Sequence, residues 1–109
     1  MIYCICITAA DFVAEVCHNE VFEAQCHEGE VMRIERARYG RMRLGRCVKT
    51  DFGYIGCYAD VIDVLQEQCS GRSHCSVPVP DEELETVTGQ CPMEFIKYLE
   101  VAYDCVPNQ

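Results

Sequence analysis

The chain contains no C-x-x-C and no H-x-x-x-H pair. His stands beside Cys at Cys17-His18, Cys26-His27 and His74-Cys75, but the local spacing that tetrahedral zinc uses is missing, so neither a metal nor any other cofactor is expected. No stretch approaches the roughly 20 apolar residues of a membrane span, which argues against membrane insertion. No Ser-centred elbow or paired-carboxylate motif stands out, and a Cys-His nucleophile would need a free thiolate. An enzyme is therefore the class the sequence supports least. Basic residues are scarce, nine against eighteen acids for a net charge of -9. The arginines also lack the interleaved aromatics that a stacking reader of nucleic acid needs, so no nucleic-acid partner is expected. No internal repeat, linker or low-complexity tract divides the 109 residues, a length that fits one domain with one modest core.

Cysteine, by contrast, is abundant. Eight of the ten form an ordered series, Cys17, Cys26, Cys47, Cys57, Cys69, Cys75, Cys91 and Cys105, with 8, 20, 9, 11, 5, 15 and 13 residues between successive members. An even set at this density implies an oxidising compartment, because cytosolic thiols are kept reduced. In the chain-entropy account, closing loops of a few tens of residues contributes roughly 3 to 4 kcal/mol each. The short Cys69 to Cys75 loop is plausible as a disulfide from its spacing alone. Residues 1 to 10 are apolar and uncharged and end in Thr8-Ala9-Ala10, like the small-residue site where a secretory signal is cut. They read as a remnant of a signal peptide or as an extra first strand, and either way Cys4 and Cys6 stand outside the framework.

The charge is lopsided. Seven of the nine basic residues, Arg33, Arg36, Arg38, Arg41, Arg43, Arg46 and Lys49, lie between positions 33 and 49 with Glu35 as the single acid, so that segment is +6 and the remainder -15. Such a cluster can steer an acidic ligand such as a sulfated glycan. The plainer reading, which we favour, is a solvated strand and loop.

Strand periodicity dominates both ends of the chain. Phe12, Ala14 and Val16 alternate with Val13 and Glu15, and Phe22, Ala24 and Cys26 with Glu23 and Gln25, a two-residue period that predicts a hairpin-like pair of strands. Val31 to Ala37 is a third strand, with Met32 and Ile34 facing one way, before Tyr39-Gly40-Arg41 turns the chain. Gly40 suits a backbone turn that needs positive φ. Tyr58, Val61, Ile62 and Leu65 repeat at helical spacing over 58–68, with Asp60 and Asp63 available to cap the start and Cys69 anchoring the end. Ser76 to Pro80 is a short extended piece, suited by its prolines to an edge. The acidic run Asp81 to Glu85 is expected to open a short second helix, because carboxylates favour helix N-termini. Leu99, Val101, Tyr103 and Cys105 alternate against Glu100, Ala102 and Asp104 in the strongest strand of the chain.

Three blocks then carry a resemblance. Ala37-Arg38-Tyr39-Gly40-Arg41, Cys69-Ser70-Gly71-Arg72-Ser73-His74-Cys75 and Lys97-Tyr98-Leu99-Glu100-Val101-Ala102-Tyr103-Asp104-Cys105 resemble the signatures of the galactose/rhamnose-binding lectin domain, the sea-urchin-egg-lectin type also found in latrophilins. The likeness covers residues 11 to 106, and any one block alone would be weak. It implies an α+β domain of short antiparallel sheets with flanking helices, stapled by Cys17–Cys47, Cys26–Cys105, Cys57–Cys91 and Cys69–Cys75, one of 105 pairings that arithmetic leaves open.

The resemblance also implies a sugar site assembled from three places. An acid follows the first framework cysteine in the family, where this chain has His18, which cannot clamp two hydroxyls as a carboxylate can. An Asn in the family's Ala-Asn-Tyr-Gly-Arg block is replaced by Arg38. A loop reading Asp-Pro-Cys, one residue, Gly-Thr, an aromatic, then Lys-Tyr becomes Gly89-Gln90-Cys91-Pro92-Met93-Glu94-Phe95-Ile96-Lys97-Tyr98, without the Asp or the Gly-Thr. The candidate carbohydrate-binding residues are thus Lys97, His18, Arg38 and Glu94, with Glu20 and Glu100 as further substitute acceptors. Tyr39, Tyr98 and Leu99 are expected to fill the core, and Arg41 to pair with an acidic neighbour. Two functions follow. One is a secreted or cell-surface lectin module for galactose- or rhamnose-like or acidic sugars. The other is an adhesion or receptor module of the same fold that binds a cell-surface protein.

Overall fold

A computed structural model describes residues 12–87, 91–92 and 95–108. Its elements in chain order are β1 (Phe12–Val16), β2 (Val21–Gln25), β3 (Glu30–Arg41), β4 (Cys57–Asp60), α1 (Ile62–Cys69), β5 (His74–Pro78), α2 (Glu82–Val87) and β6 (Tyr98–Pro107). One antiparallel sheet runs β1-β6-β3-β4, and β2 with β5 makes a second, two-stranded sheet. This is the expected α+β arrangement of short antiparallel sheets with two short helices. All four disulfides pair as the resemblance implies. The segment expected to be a signal remnant or extra strand, with Cys4 and Cys6, lies outside the described residues. Among those described, no helix is long and apolar enough to cross a membrane.

Strand β6 is the axis of the larger sheet, paired to β1 on one side (Val16↔Leu99, Phe12↔Tyr103) and to β3 on the other (Tyr39↔Leu99, Ile34↔Tyr103). Leu99 and Val101 point into the core and are fully buried, as the alternation predicts. They meet Phe22, Val77, Leu65 and Leu84 from the second sheet and the helices, together with Met32, Ile34 and Tyr39 from β3. Burying each such side chain contributes about 1.5–3 kcal/mol. Tyr103 is stacked on Phe12 and edge-on to Phe22, so one ring joins the sheets.

Three expectations are corrected. The first two strands do not form a hairpin: β1 pairs with β6 and β2 with β5. Between them Asn19 adopts φ 71, and its amide donates to Val79 O at 2.7 Å, which swings the chain out of the first sheet and onto β5. Asn is one of the few residues that tolerates this left-handed backbone.

The third strand is longer than expected and runs straight through Gly40, which pairs with Tyr98 and Tyr58 rather than turning the chain. A Cβ on Gly40 would sit 2.5 Å from Tyr58 Cα and would also strike the Cys57 carbonyl oxygen, at φ +151. Close approach of β4, not a turn, is what requires glycine here.

The helix begins at Ile62 rather than Tyr58, because residues 57–60 are taken up in pairing with β3. The N-cap position is Val61, with no side-chain cap, rather than Asp60 or Asp63; Asp60, one residue earlier, accepts the Ile62 amide at 2.9 Å, and Val64, Leu65 and Cys69 carry the buried face. The second helix starts as foreseen, with the Asp81 carboxylate accepting the Glu83 and Leu84 amides at 3.0 and 3.3 Å.

Gly40→Ala is expected to lower the unfolding free energy of the oxidised protein by about 3 kcal/mol or more, through overlap and backbone strain. Chemical denaturation checks this, and a loss under about 1 kcal/mol would refute the close-approach account. In the same assay, replacing Cys26 and Cys105 by Ala should cost more than replacing Cys69 and Cys75. The first bridge closes a separation of 79 residues and the second one of 6, and loop entropy grows with length.

Candidate carbohydrate-binding site

Four segments converge on a cleft of about 370 Å³. His18 comes from the turn after β1, Tyr39 from β3, Pro80 and Glu85 from the start of α2 and the turn before it, and Phe95, Ile96 and Lys97 from the run into β6. The β3/β6 register sets Tyr39 opposite Leu99, two residues from Lys97. Leu84, fully buried in the core, seats α2 so that Glu85 faces both.

The polar centre of the cleft is a chain of three groups. Tyr39 donates its hydroxyl proton to Glu85 Oε2 in a short hydrogen bond, and the other carboxylate oxygen, Oε1, lies 3.4 Å from Lys97 Nζ. Lys97 also donates to Phe95 O at 3.4 Å. Burial pushes the Tyr39 hydroxyl well above the ordinary phenol range, and the Glu85 carboxylate beside it pushes the same way, so the phenol stays a donor. Lys97 is 4 % exposed, which rules against the plain reading of a solvated lysine at a strand start. An ammonium carries three donors and a carboxylate about four lone-pair sites, so the pair can hold each other and still engage hydroxyl groups placed in the cleft.

The expected site residues divide. His18 and Lys97 are brought together at this cleft. Arg38 is not: it precedes Tyr39 on β3 and so projects from the opposite face of the sheet. There its Nη1 lies 3.9 Å from Glu100 Oε1 and its guanidinium 5.4 Å from the Tyr58 ring centroid. Glu100 is buried on that same face and is held by Arg43 as well, so it is no acceptor for this cleft. Glu20 accepts from Arg46 and from the Cys17 amide, which together hold its carboxyl below the usual range, the arginine more strongly. Glu94 lies outside the described residues.

Among the described residues Arg41 does not pair with an acid. It donates to Ile96 O at 2.8 Å and Thr50 O at 2.9 Å, with its guanidinium 5.1 Å from the Phe95 centroid. Glu85 is the group the sequence did not reveal. It stood in an acidic run that explains itself as a helix start, and its distance along the chain from Tyr39 and Lys97 leaves no local signal.

A wider hollow of about 590 Å³ is lined by Glu67, Gln68, Arg72, His74, Ser76 and Glu83. Several of its polar groups are engaged by protein, Gln68 with Glu83, and His74 and Ser76 with Glu23. Among its described lining residues there is no buried cation comparable to Lys97.

The sequence model of the D-galactoside/L-rhamnose binding SUEL lectin domain matches residues 24–105. Adhesion G protein-coupled receptor L1 of Mus musculus is 32 % identical over 94 residues, covering 84 % of this chain and 6 % of the receptor. Protein eva-1 homolog C of Mus musculus is 31 % identical over 98 residues, 85 % of this chain and 22 % of that protein. L-rhamnose-binding lectin ELEL-1 of Echinometra lucunter is 31 % identical over 93 residues, 83 % of this chain and 86 % of the lectin. The chain thus spans a small part of the two larger relatives and most of the third. Signature blocks, disulfide pairing and matched span agree, and the chain belongs to the D-galactoside/L-rhamnose binding SUEL lectin domain family.

Proposed function

We propose that the domain is a non-catalytic carbohydrate-binding module of a secreted protein or of the outer part of a cell-surface protein, with a remodelled sugar site. The observation that carries this reading is the Tyr39–Glu85–Lys97 cluster opening into the cleft beneath His18. Neighbouring hydroxyls on a galactose- or rhamnose-like ring need an acceptor that can take two hydrogen bonds and a donor beside it. Glu85 supplies the first in place of the acid that His18 replaces, and Lys97 supplies the second. His18 closes the rim, and Phe95 and Ile96 offer an apolar wall to the ring. Affinity for a lone sugar through so small a site is weak, so function depends on several copies of the domain engaging one glycan surface. The adhesion-receptor relative motivates the second reading, a module of the same fold that recognises a protein.

On a glycan array probed with multivalent, disulfide-intact protein, galactose- or rhamnose-terminated glycans should bind. Lys97→Met and Glu85→Gln should each lower that binding about tenfold or more, since each removes a charge-assisted hydrogen bond. Near-UV circular dichroism confirms that both variants are folded. Silence of the folded wild-type protein across the array would instead favour protein recognition.

A further inference from the structure

The loop of residues 42–56 joins β3 to β4 and is bracketed by disulfides, Cys47 to Cys17 within it and Cys57 to Cys91 just after it. A small domain would ordinarily bury the large apolar side chains of such a loop. Here Phe52 is 62 % exposed and Tyr54 44 %. Neither ring is loose. Phe52 stacks parallel on Phe95 with centroids 5.6 Å apart, and Tyr54 tilts against the same ring at 4.9 Å. Arg41 pins the arrangement by donating to a carbonyl of each segment, Thr50 O and Ile96 O.

These contacts frame a second cleft of about 340 Å³, lined by Arg41, Val48, Lys49, Thr50 and Phe52 and sharing Phe95 and Ile96 with the first. The Phe95-Ile96 segment is therefore a partition with one cleft on each side.

The charge in this second cleft is unusual. Arg33, Arg38, Arg43 and Arg46 are each matched to a carboxylate. Arg41 is 97 % buried, binds two carbonyls, and its Nε has no hydrogen-bond partner among the described residues. Among the described residues Lys49 likewise has no ion pair, and none of those lining the cleft is an Asp or Glu. Asp51, next along the loop, is turned to the Gly53 amide at 2.7 Å. A buried cation without a carboxylate is costly unless a counter-charge arrives from outside.

We propose that this cleft is a second subsite, and that it takes an anionic sugar unit, one bearing a carboxylate or a sulfate, joined to the unit held by Lys97 and Glu85. The apolar face of the pyranose lies on the exposed ring of Phe52, and the anionic group meets Lys49 and the cationic field of Arg41. The inference rests on the sugar-binding reading of the first cleft and extends it from one sugar to a linked pair.

Titration calorimetry on the disulfide-intact protein tests this with four probes: galactose, a neutral galactose-containing disaccharide, and the same disaccharide carrying either a carboxylated sugar or a sulfate. Wild-type protein should bind the anionic saccharides about tenfold more tightly than the neutral disaccharide. Lys49→Gln and Phe52→Ala should abolish that gain and leave galactose affinity unchanged, while Lys97→Met weakens all four probes. A gain for one anionic probe alone identifies which anion the subsite reads. Equal affinity for neutral and anionic saccharides, or a gain that survives Lys49→Gln, overturns the subsite and leaves the first cleft standing. No binding of any saccharide by folded wild-type protein overturns both. A protein partner lost on Phe52→Ala, with no gain for anionic saccharides, assigns this surface to protein recognition and also overturns the subsite.

Discussion

The two sheets share no strand, and the rest of the structure depends on how they are held face to face. Cys26, just past the end of β2, is bonded to Cys105 in β6, so one covalent link ties the small sheet to the axis of the large one. Around it the core closes with Phe22 and Val77 on one side and Leu99 and Val101 on the other. A domain of this size buries too little surface for packing alone to fix such an arrangement firmly. Once the sheets are fixed, α2 can lie where Leu84 enters the core, and Glu85 follows it to Tyr39.

The remaining long-range bridges act on the loops rather than on the core. Cys17–Cys47 joins the turn bearing His18 to the loop bearing Lys49, and Cys57–Cys91 joins the start of β4 to the segment leading to Phe95 and Lys97. Both clefts therefore have walls made of irregular backbone that is covalently tethered at its ends. Recognition can be varied by changing side chains on these loops without disturbing the sheets.

The elements that bury one face were legible in the sequence, because a period of two or of 3.6 is the direct imprint of burial. β6 and α1 were read this way, whereas the start of α2 was read from its acidic run. What periodicity cannot carry is partnership. The alternation of Phe12 to Val16 and of Phe22 to Cys26 is the same whether the strands pair with each other or with β6 and β5, and only the left-handed Asn19 decides it. Gly40 looked like a turn because a glycine required by an approaching strand and one required by a turn are the same letter. Lys97, singled out by a motif, lines the cleft, whereas Arg38 falls on the opposite face of β3 by a single step of strand parity. Glu85 was hidden because its partners come from elements distant in sequence. Apart from the short Cys69–Cys75 loop, plausible from its spacing, the disulfide pairing came from family resemblance.

The basic segment between Arg33 and Lys49 has a kinetic consequence. Most of its guanidinium groups are matched in place, Arg33 by Asp104, Arg38 and Arg43 by Glu100, and Arg46 by Glu20, while the chain as a whole carries -9. Seen from beyond a Debye length, the molecule is an anion. Repulsion of this sign slows the approach of any negatively charged molecule, and added salt relieves it.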